Sequence, residues 1–246
     1  SVSISSSNVT EGGVSATASV VLDSEPVSTV TVSLAVDTSD LVLNKTTLTF
    51  NSANWDSSQS FTVQANDDSI YEGPENGTLT VSTSASSDSL YSGLTAQAFD
   101  FSITDNESLP EISIADLSVS ESDSSVSVSA TVSVSPVSGD AITVGYSTQD
   151  DVALAGQDYQ SAAGNVVIEA GNSSATISLT LLGDNLVEGD EDFALLLTST
   201  SLGNFALGGD SALITILNDD ASVSMGELSS SESVLSAALS STTSLT

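Results

Sequence analysis

The chain contains no cysteine, no histidine and no arginine, and Lys45 is its only basic residue. Without cysteine there can be no disulfide and no thiolate chemistry. A zinc centre is disfavoured, because its usual nitrogen and sulfur donors are missing. A Ser-His-Asp triad cannot be built, and no guanidinium is present to clamp an oxyanion. Against that one base stand 33 acids, for a net charge of −32. A chain so negative repels nucleic acid and anionic membrane surfaces and attracts cations. Aromatic residues make up only 4%, which argues against an aromatic-lined cleft for glycoside hydrolysis despite the many carboxylates. Long apolar runs are also lacking, so no segment reads as membrane-spanning. High charge and few aromatics can signal disorder, but a hydrophobic fraction of 39% and a mean hydropathy of +0.19 argue for a packed core.

What is present is alternation. Val30, Val32, Leu34 and Val36 are each followed by a small or polar residue, and so are Val126, Val128, Ala130, Val132 and Val134. A period of two places Val, Ile and Leu on one face of a strand and Ser and Thr on the other. No stretch carries a helical period. The strands expected between 111 and 220 cover about 111–118, 125–135, 141–148, 165–169, 174–182, 192–198 and 211–217. Those before them cover about 1–8, 14–22, 28–36, 47–50, 59–65, 77–83 and 97–104. Two sets of seven predict an all-β chain of two tandem antiparallel, immunoglobulin-like β-sandwiches.

The chain repeats itself at that scale. Val2-to-Glu11 reads VSISSSNVTE, Glu111-to-Glu121 reads EISIADLSVSE, and Ser222-to-Glu232 reads SVSMGELSSSE. Ile4, Ile114 and Met225 each stand seven places before a glutamate, and those glutamates fall 110 and 111 residues apart. A period that long is a domain, not a solenoid unit. The expected division is 1–107, 108–220, and a third repeat opening over 221–246.

In a sandwich with alternating strand directions, the turns after the first, third and fifth strands and the end of the seventh share one pole. That pole collects 21 of the 31 acids that precede the third repeat. Two carboxylates 4 Å apart repel by about 4 kcal/mol at an effective dielectric near 20. A dozen on one small surface need compensation, and Ca²⁺, which takes 6–8 oxygens in flexible geometry, suits ligands from separate loops.

Three motifs lie on those turns: DDVALAGQDY at 150–159, GDNLVEGDEDF at 183–193 and ILNDD at 216–220. With Glu121 they resemble the Calx-β domain, known from the regulatory domains of sodium–calcium exchangers and from large bacterial surface proteins. The resemblance covers nearly all of 111–220. It implies calcium ligands at Glu121, Asp158, Asp184, Glu188, Glu191, Asp219 and Asp220. Asn218 stands where the family often has a third aspartate, which removes one charge. The first domain matches less fully: Glu11, Asp68, Glu72, Asp105 and Glu107 are the implied ligands. Glu75 also aligns with the acidic turn. No DY element occurs there, and Asp37 or Asp40 could take its place. Tyr159 is expected to be a packing residue, and Trp55 a cap on the first core.

The function these features imply is a calcium-binding spacer in a long extracellular, bacterial-type surface or adhesin protein, with no enzymatic activity. Its partners would be calcium ions and neighbouring repeats of the same chain. Nucleic-acid binding and direct membrane insertion are not expected. The alternatives are a regulatory calcium-sensor pair and a module binding an extracellular protein or glycan. Lys45 is the one site for a basic-specific protease, so incubation with trypsin should spare both domains, as followed by intact mass.

Overall fold

The structure is a computed structural model that describes residues 1–84, 88–199 and 205–221. Two β-sandwiches follow one another, and no helix occurs among the described residues. The first comprises β1 (Val2–Ile4), β2 (Asn8–Thr10), β3 (Ala16–Val20), β4 (Val30–Val36), β5 (Leu41–Leu43), β6 (Thr47–Phe50), β7 (Gln59–Ala65), β8 (Ile70–Tyr71), β9 (Glu75–Thr83) and β10 (Gln97–Thr104). Sheet order is β1-β3-β7-β5 facing β2-β10-β9-β4-β6. The second comprises β11 (Glu111–Ile114), β12 (Leu117–Ser120), β13 (Val126–Ser135), β14 (Val137–Ser138), β15 (Ile142–Asp150), β16 (Ala163–Ile168), β17 (Ser174–Leu181), β18 (Glu191–Ser199), β19 (Ala206–Leu207) and β20 (Ser211–Leu217). Its sheets run β17-β13-β11-β19 and β12-β20-β18-β15-β16. Twelve of the fourteen expected strands are found as single strands with shifts at their ends, and the two opening strands are divided. Apart from Ala221, the expected third repeat over 221–246 lies outside the described residues.

The opening strand of each domain departs from the expectation. It is not one strand but two, β1 and β2 or β11 and β12, and the halves join opposite sheets. The second half pairs parallel with the last strand, Leu117 against Ile214 and Asn8 against Ser102. The sandwich is therefore not purely antiparallel. The break has a physical use: at Asp116 the chain crosses between sheets, and its Oδ1 accepts a hydrogen bond from the Leu213 amide at 2.8 Å. A carboxylate thus takes up the β20 amide that lies just before the start of the pairing with β12. This crossover brings Glu11 and Glu121, just beyond β2 and β12, to the end of the last strand. The Glu121 amide donates to the Leu217 carbonyl at 2.8 Å, and the Glu11 amide to the Thr104 carbonyl at 3.0 Å.

Each sandwich has its own core. The first is centred on Phe50, Phe61, Leu79, Phe101 and Ile103, and the second on Ile112, Tyr159, Ile177, Leu179 and Phe193. Trp55 is half-buried against the first core. Tyr159 is fully buried and stacks on Phe193, with ring centroids 3.9 Å apart and planes 6° from parallel.

The domains also touch through backbone. β8, in the acidic turn of the first sandwich, pairs parallel with β14, in the turn between β13 and β15 of the second. Ile70 faces Val137 and Tyr71 faces Ser138, and the Gly139 amide donates to the Tyr71 carbonyl at 2.9 Å.

Phe193→Ala removes one ring of the stacked pair and leaves a cavity. The second domain should lose about 3–5 kcal/mol, while the unfolding transition of the first should stay in place. Two-domain thermal or urea melts check this.

Candidate metal centres

Among the described residues, the acidic turns bring carboxylates together in four groups. Each residue of a group offers an oxygen within 4.8 Å of the others. In the first domain Glu11 meets Asp105 and Glu107, and Glu72 meets Asp40 and Glu75. In the second, Asp158 meets Glu188 and Glu191, and Asp219 and Asp220 meet Asp123.

The first group joins the turn after β2 to the end of β10 and the start of the linker. Glu11 is only 5% exposed, and its Oε2 has no hydrogen-bond partner. Glu107 has a buried Oε2 in the same condition. Burial pushes the Glu11 carboxyl up to about 7, and the negative charges of Asp105, Asp68, Glu107 and Glu72 add to the effect. Burial pushes Asp105 the same way, but amide hydrogen bonds from Gly73, Glu107 and Glu72 outweigh it and hold the group below the usual range. Those amides lie 2.7–2.8 Å from the Asp105 oxygens. Asp105 is thus pinned as an anion while Glu11 beside it resists ionising. Asn106 closes the site: its Nδ2 donates to the Glu11 carbonyl at 3.0 Å and to Asp67 Oδ1 at 2.8 Å.

Beside it lies the group of Asp40, Glu72 and Glu75. Burial raises Glu72 and Glu75, with Asp68 and Asp40 contributing to the first and Asp40 and Glu72 to the second. Of the two acids that could replace the missing DY element, Asp40 joins the group. Asp37 does not: its Oδ1 accepts the Thr78 amide at 2.6 Å on β9. Asp68 stands between the groups, its charge acting on Glu11, Glu72 and Glu107.

In the second domain, burial and the charges of Asp158 and Glu188 raise Glu191. Asp158 Oδ2 also accepts the Leu154 amide at 2.7 Å, which fixes its loop. Glu121 is buried, and its carboxyl is raised by that burial and by Asp184, Glu188 and Asp220. Glu121 and Asp184 therefore bridge the Asp158 group and the Asp220 group. Asp220 is raised by burial and by Asp123, Asp219 and Asp184, and its Oδ2 is buried without a partner. Asn218 ties the end of β20 to the turn before β18, its amide oxygen accepting weakly from the Glu188 amide at 3.4 Å while its Nδ2 donates to the Asp220 carbonyl at 3.1 Å.

All twelve acids singled out from the sequence lie in or beside these groups. Asp40, Glu75 and Asp123 are members that the ligand assignment omitted. Glu75 was visible in the aligned acidic turn, whereas Asp123 lay only two residues beyond Glu121 without a motif of its own. Tyr159 is a core residue as expected. Its hydroxyl donates to Asp150 Oδ1 at 2.6 Å, and burial with that bond pushes the phenol up to about 12. The same bond, followed by one from the Ala155 amide, holds Asp150 low. The tyrosine of the DY element therefore anchors the loop that carries Asp158.

The donors in every group are carboxylate oxygens, some orphaned and buried, with no cationic side chain nearby. Such a set fits a hard divalent cation with flexible coordination, and not a soft metal.

A match to the Calx-beta domain model covers residues 2–107 and again 104–220. The chain belongs to the Calx-beta family and consists of tandem Calx-beta domains. Among solved structures, the apo form of the Calx CBD1 domain is similar at 23% identity over 46% of this chain and 100% of that one, with a TM-score of 0.42. The calcium binding domain CBD12 of CALX1.1 is similar at 15% identity over 84% of this chain and 95% of its own, with a TM-score of 0.39. The D0-D1 domain of intimin covers 88% and 97% at 12% identity and a TM-score of 0.32. No curated protein matches the chain.

The raised carboxyl of Glu11 sets a pH dependence for the metal-free protein. The folded state holds a proton that the unfolded state releases near the ordinary value of 4.5. Stability is therefore greatest below that value and falls as pH rises towards 7, because the native state binds more protons there. The first domain's melting temperature in chelator should drop between pH 5 and pH 8. Glu11→Gln should flatten that slope, as scanning calorimetry across the range will read.

Proposed function

We propose that this chain is a calcium-dependent spacer: a run of Calx-beta repeats in which calcium stiffens the acidic turns and the joint between domains, within an extracellular surface or adhesin protein. The observation that carries this reading is Glu11. A buried glutamate with an unpartnered oxygen, crowded by carboxylates from residues 68–107, is costly in a chain whose only base, Lys45, hydrogen-bonds the Ser60 carbonyl instead. A divalent ion at that point supplies the missing positive charge.

In the first domain Glu11, Asp105 and Glu107 would hold one ion, with Asp68 beside them, and Asp40, Glu72 and Glu75 another. In the second, Asp158, Glu188 and Glu191 would hold one, and Asp123, Asp219 and Asp220 another, with Glu121 and Asp184 between. The mechanical consequence follows from where Glu107 lies. It is four residues before Glu111, the first residue of β11, and buried Pro110 completes the short connection with its fixed φ. Drawing Glu107 onto Glu11 fixes the start of the linker to the body of the first sandwich. The four carboxylate groups lie at corresponding acidic turns of both domains, which supports a repeated structural role over a sensor with one control site. The extracellular setting is supported by composition: no cysteine, one base, and strand faces of Ser and Thr.

Ion binding confined to the folded state stabilises it, by about 2.7 kcal/mol at one hundred times the dissociation constant. Chelation should therefore lower the melting temperature by several degrees, and an unchanged melt removes the metal. Asp184→Ala should weaken calcium binding to the second domain, measured by titration calorimetry, far more than Asp140→Ala. Equal effects would refute the assignment to this pole.

A further inference from the structure

The acidic turn of each domain carries a two-residue apolar step before its glutamate: Ile70-Tyr71 before Glu72, and Leu186-Val187 before Glu188. The two steps have the same local backbone support. Asp68 Oδ1 accepts the Ile70 amide at 2.8 Å, and Asp184 Oδ1 accepts the Leu186 amide at 2.6 Å. Their surroundings differ. Ile70 and Tyr71 are half-buried, because they form β8 and pair with Val137 and Ser138 of the next domain. Leu186 and Val187 are 60% and 54% exposed. The receiving turn shows the same contrast. It reads Pro136-Val137-Ser138, and the corresponding turn of the first domain reads Pro26-Val27-Ser28. Val137, under the docked step, is half-buried, whereas Val27 is 87% exposed. Gly139 matters to the fit, since a Cβ there would come within 2.9 Å of Glu72 Cγ.

We infer that Leu186-Val187 is the outgoing docking strand of the second domain. Its occupant is the Pro-Val-Ser turn of a following repeat of the same type, paired as β8 pairs with β14. The inference deepens the spacer reading and rests on it for the premise that repeats adjoin in an array. The opening pattern of Glu111-to-Glu121 recurs at Ser222-to-Glu232, where a third copy would begin. The bridge is short, two residues and one hydrogen bond from Gly139 to Tyr71. It is too slight to join separate molecules. Tethered neighbours hold it at high effective concentration, which suffices to populate it. Each joint then has two ties: the carboxylates at the linker, and a backbone pairing on the flank. Two ties at separate points restrain both bending and twisting, which one cannot.

The test uses residues 1–221 followed directly by a second copy of 111–220. The chain has no cysteine of its own, so introduced pairs report unambiguously. Ile70→Cys with Val137→Cys marks the first joint. Leu186→Cys with Val137→Cys in the appended copy marks the second, and Leu186→Cys with Thr176→Cys in that copy is the remote pair. The expected result is ready oxidation at both joints in calcium, with the remote pair reduced. A Leu186 pair that oxidises no more than the remote one overturns the inference. Hydrogen exchange on the cysteine-free three-repeat chain gives an independent reading. Slow exchange at the Gly139 amide of the appended copy, matching Gly139 itself, supports the joint; fast exchange there, with the copy's strands protected, overturns it. The calcium reading is judged separately by the melting shift on chelation, so either can fail alone.

Discussion

Crowded negative charge with no internal counter-charge is the constraint on which the rest of this molecule depends. In most domains a buried carboxylate finds a lysine or an arginine. Here Lys45 is exposed and bonded to a carbonyl on β7, and the chain's only ion pair among the described residues joins its amino terminus to Asp23. Compensation inside the protein therefore comes from hydrogen bonds, given by backbone amides and by a few side chains such as the Tyr159 hydroxyl on Asp150 and the Asn106 amide on Asp67. Amides can settle one carboxylate at a time, as three of them settle Asp105. They cannot settle Glu11 as well, since the same turn has run out of donors aimed at it. The remaining choices are a retained proton or an external cation, and the two compete for the same oxygens.

That competition orders the pole into members with different tasks. Asp37, Asp68, Asp158 and Asp184 each accept an amide from their own turn or a neighbouring strand, which fixes the shape of the loops. The glutamates are different. Glu11, Glu72, Glu75, Glu121 and Glu191 are all pushed up, by burial first and then by the charges of neighbouring carboxylates. Tyr159 carries the same logic into the core: its ring is packed on Phe193, and its hydroxyl holds the Asp150 end of the loop that bears Asp158.

Much of this was legible in the sequence because a sandwich has a simple grammar. Period-two alternation located the strands, and alternating direction then placed the turns at two ends. The convergence of Glu11 with Asp105, or of Glu121 with Asp184, follows from that ordering without any coordinates. What the alternation could not show is the crossover of the first strand. Ile112 and Ile114 continue the same pattern into Leu117 and Val119 after a break at Ala115-Asp116, and only the pairing of Asp116 with the Leu213 amide marks the change of sheet. Individual membership within the groups was equally hidden. Asp37 and Asp40 are three residues apart on one turn, and which of them faces Glu72 depends on side-chain direction. Asp123 had no motif, and it joins Asp219 and Asp220 only because the strand crossover carries its loop beside the end of β20.

The acidic turn also does two things at once, and the chain's order makes that economical. Within nine residues, Asp68 to Asn76, lie a loop-shaping aspartate, the two-residue step that reaches the next domain, and two glutamates that join Asp40 in a carboxylate group. Glu72 is at the boundary: its side chain presses against Gly139 of the second domain while its carboxylate meets Asp40 and Glu75. The same side chain thus belongs to a carboxylate group of the first domain and to the contact with the second. A turn that were only a ligand loop would not need Ile70 and Tyr71 in a paired strand. A turn that were only a docking strand would not tolerate so many acids around it. The coincidence in one segment of a carboxylate group and a strand paired with the second domain is what links the acidic pole of the first sandwich to its neighbour.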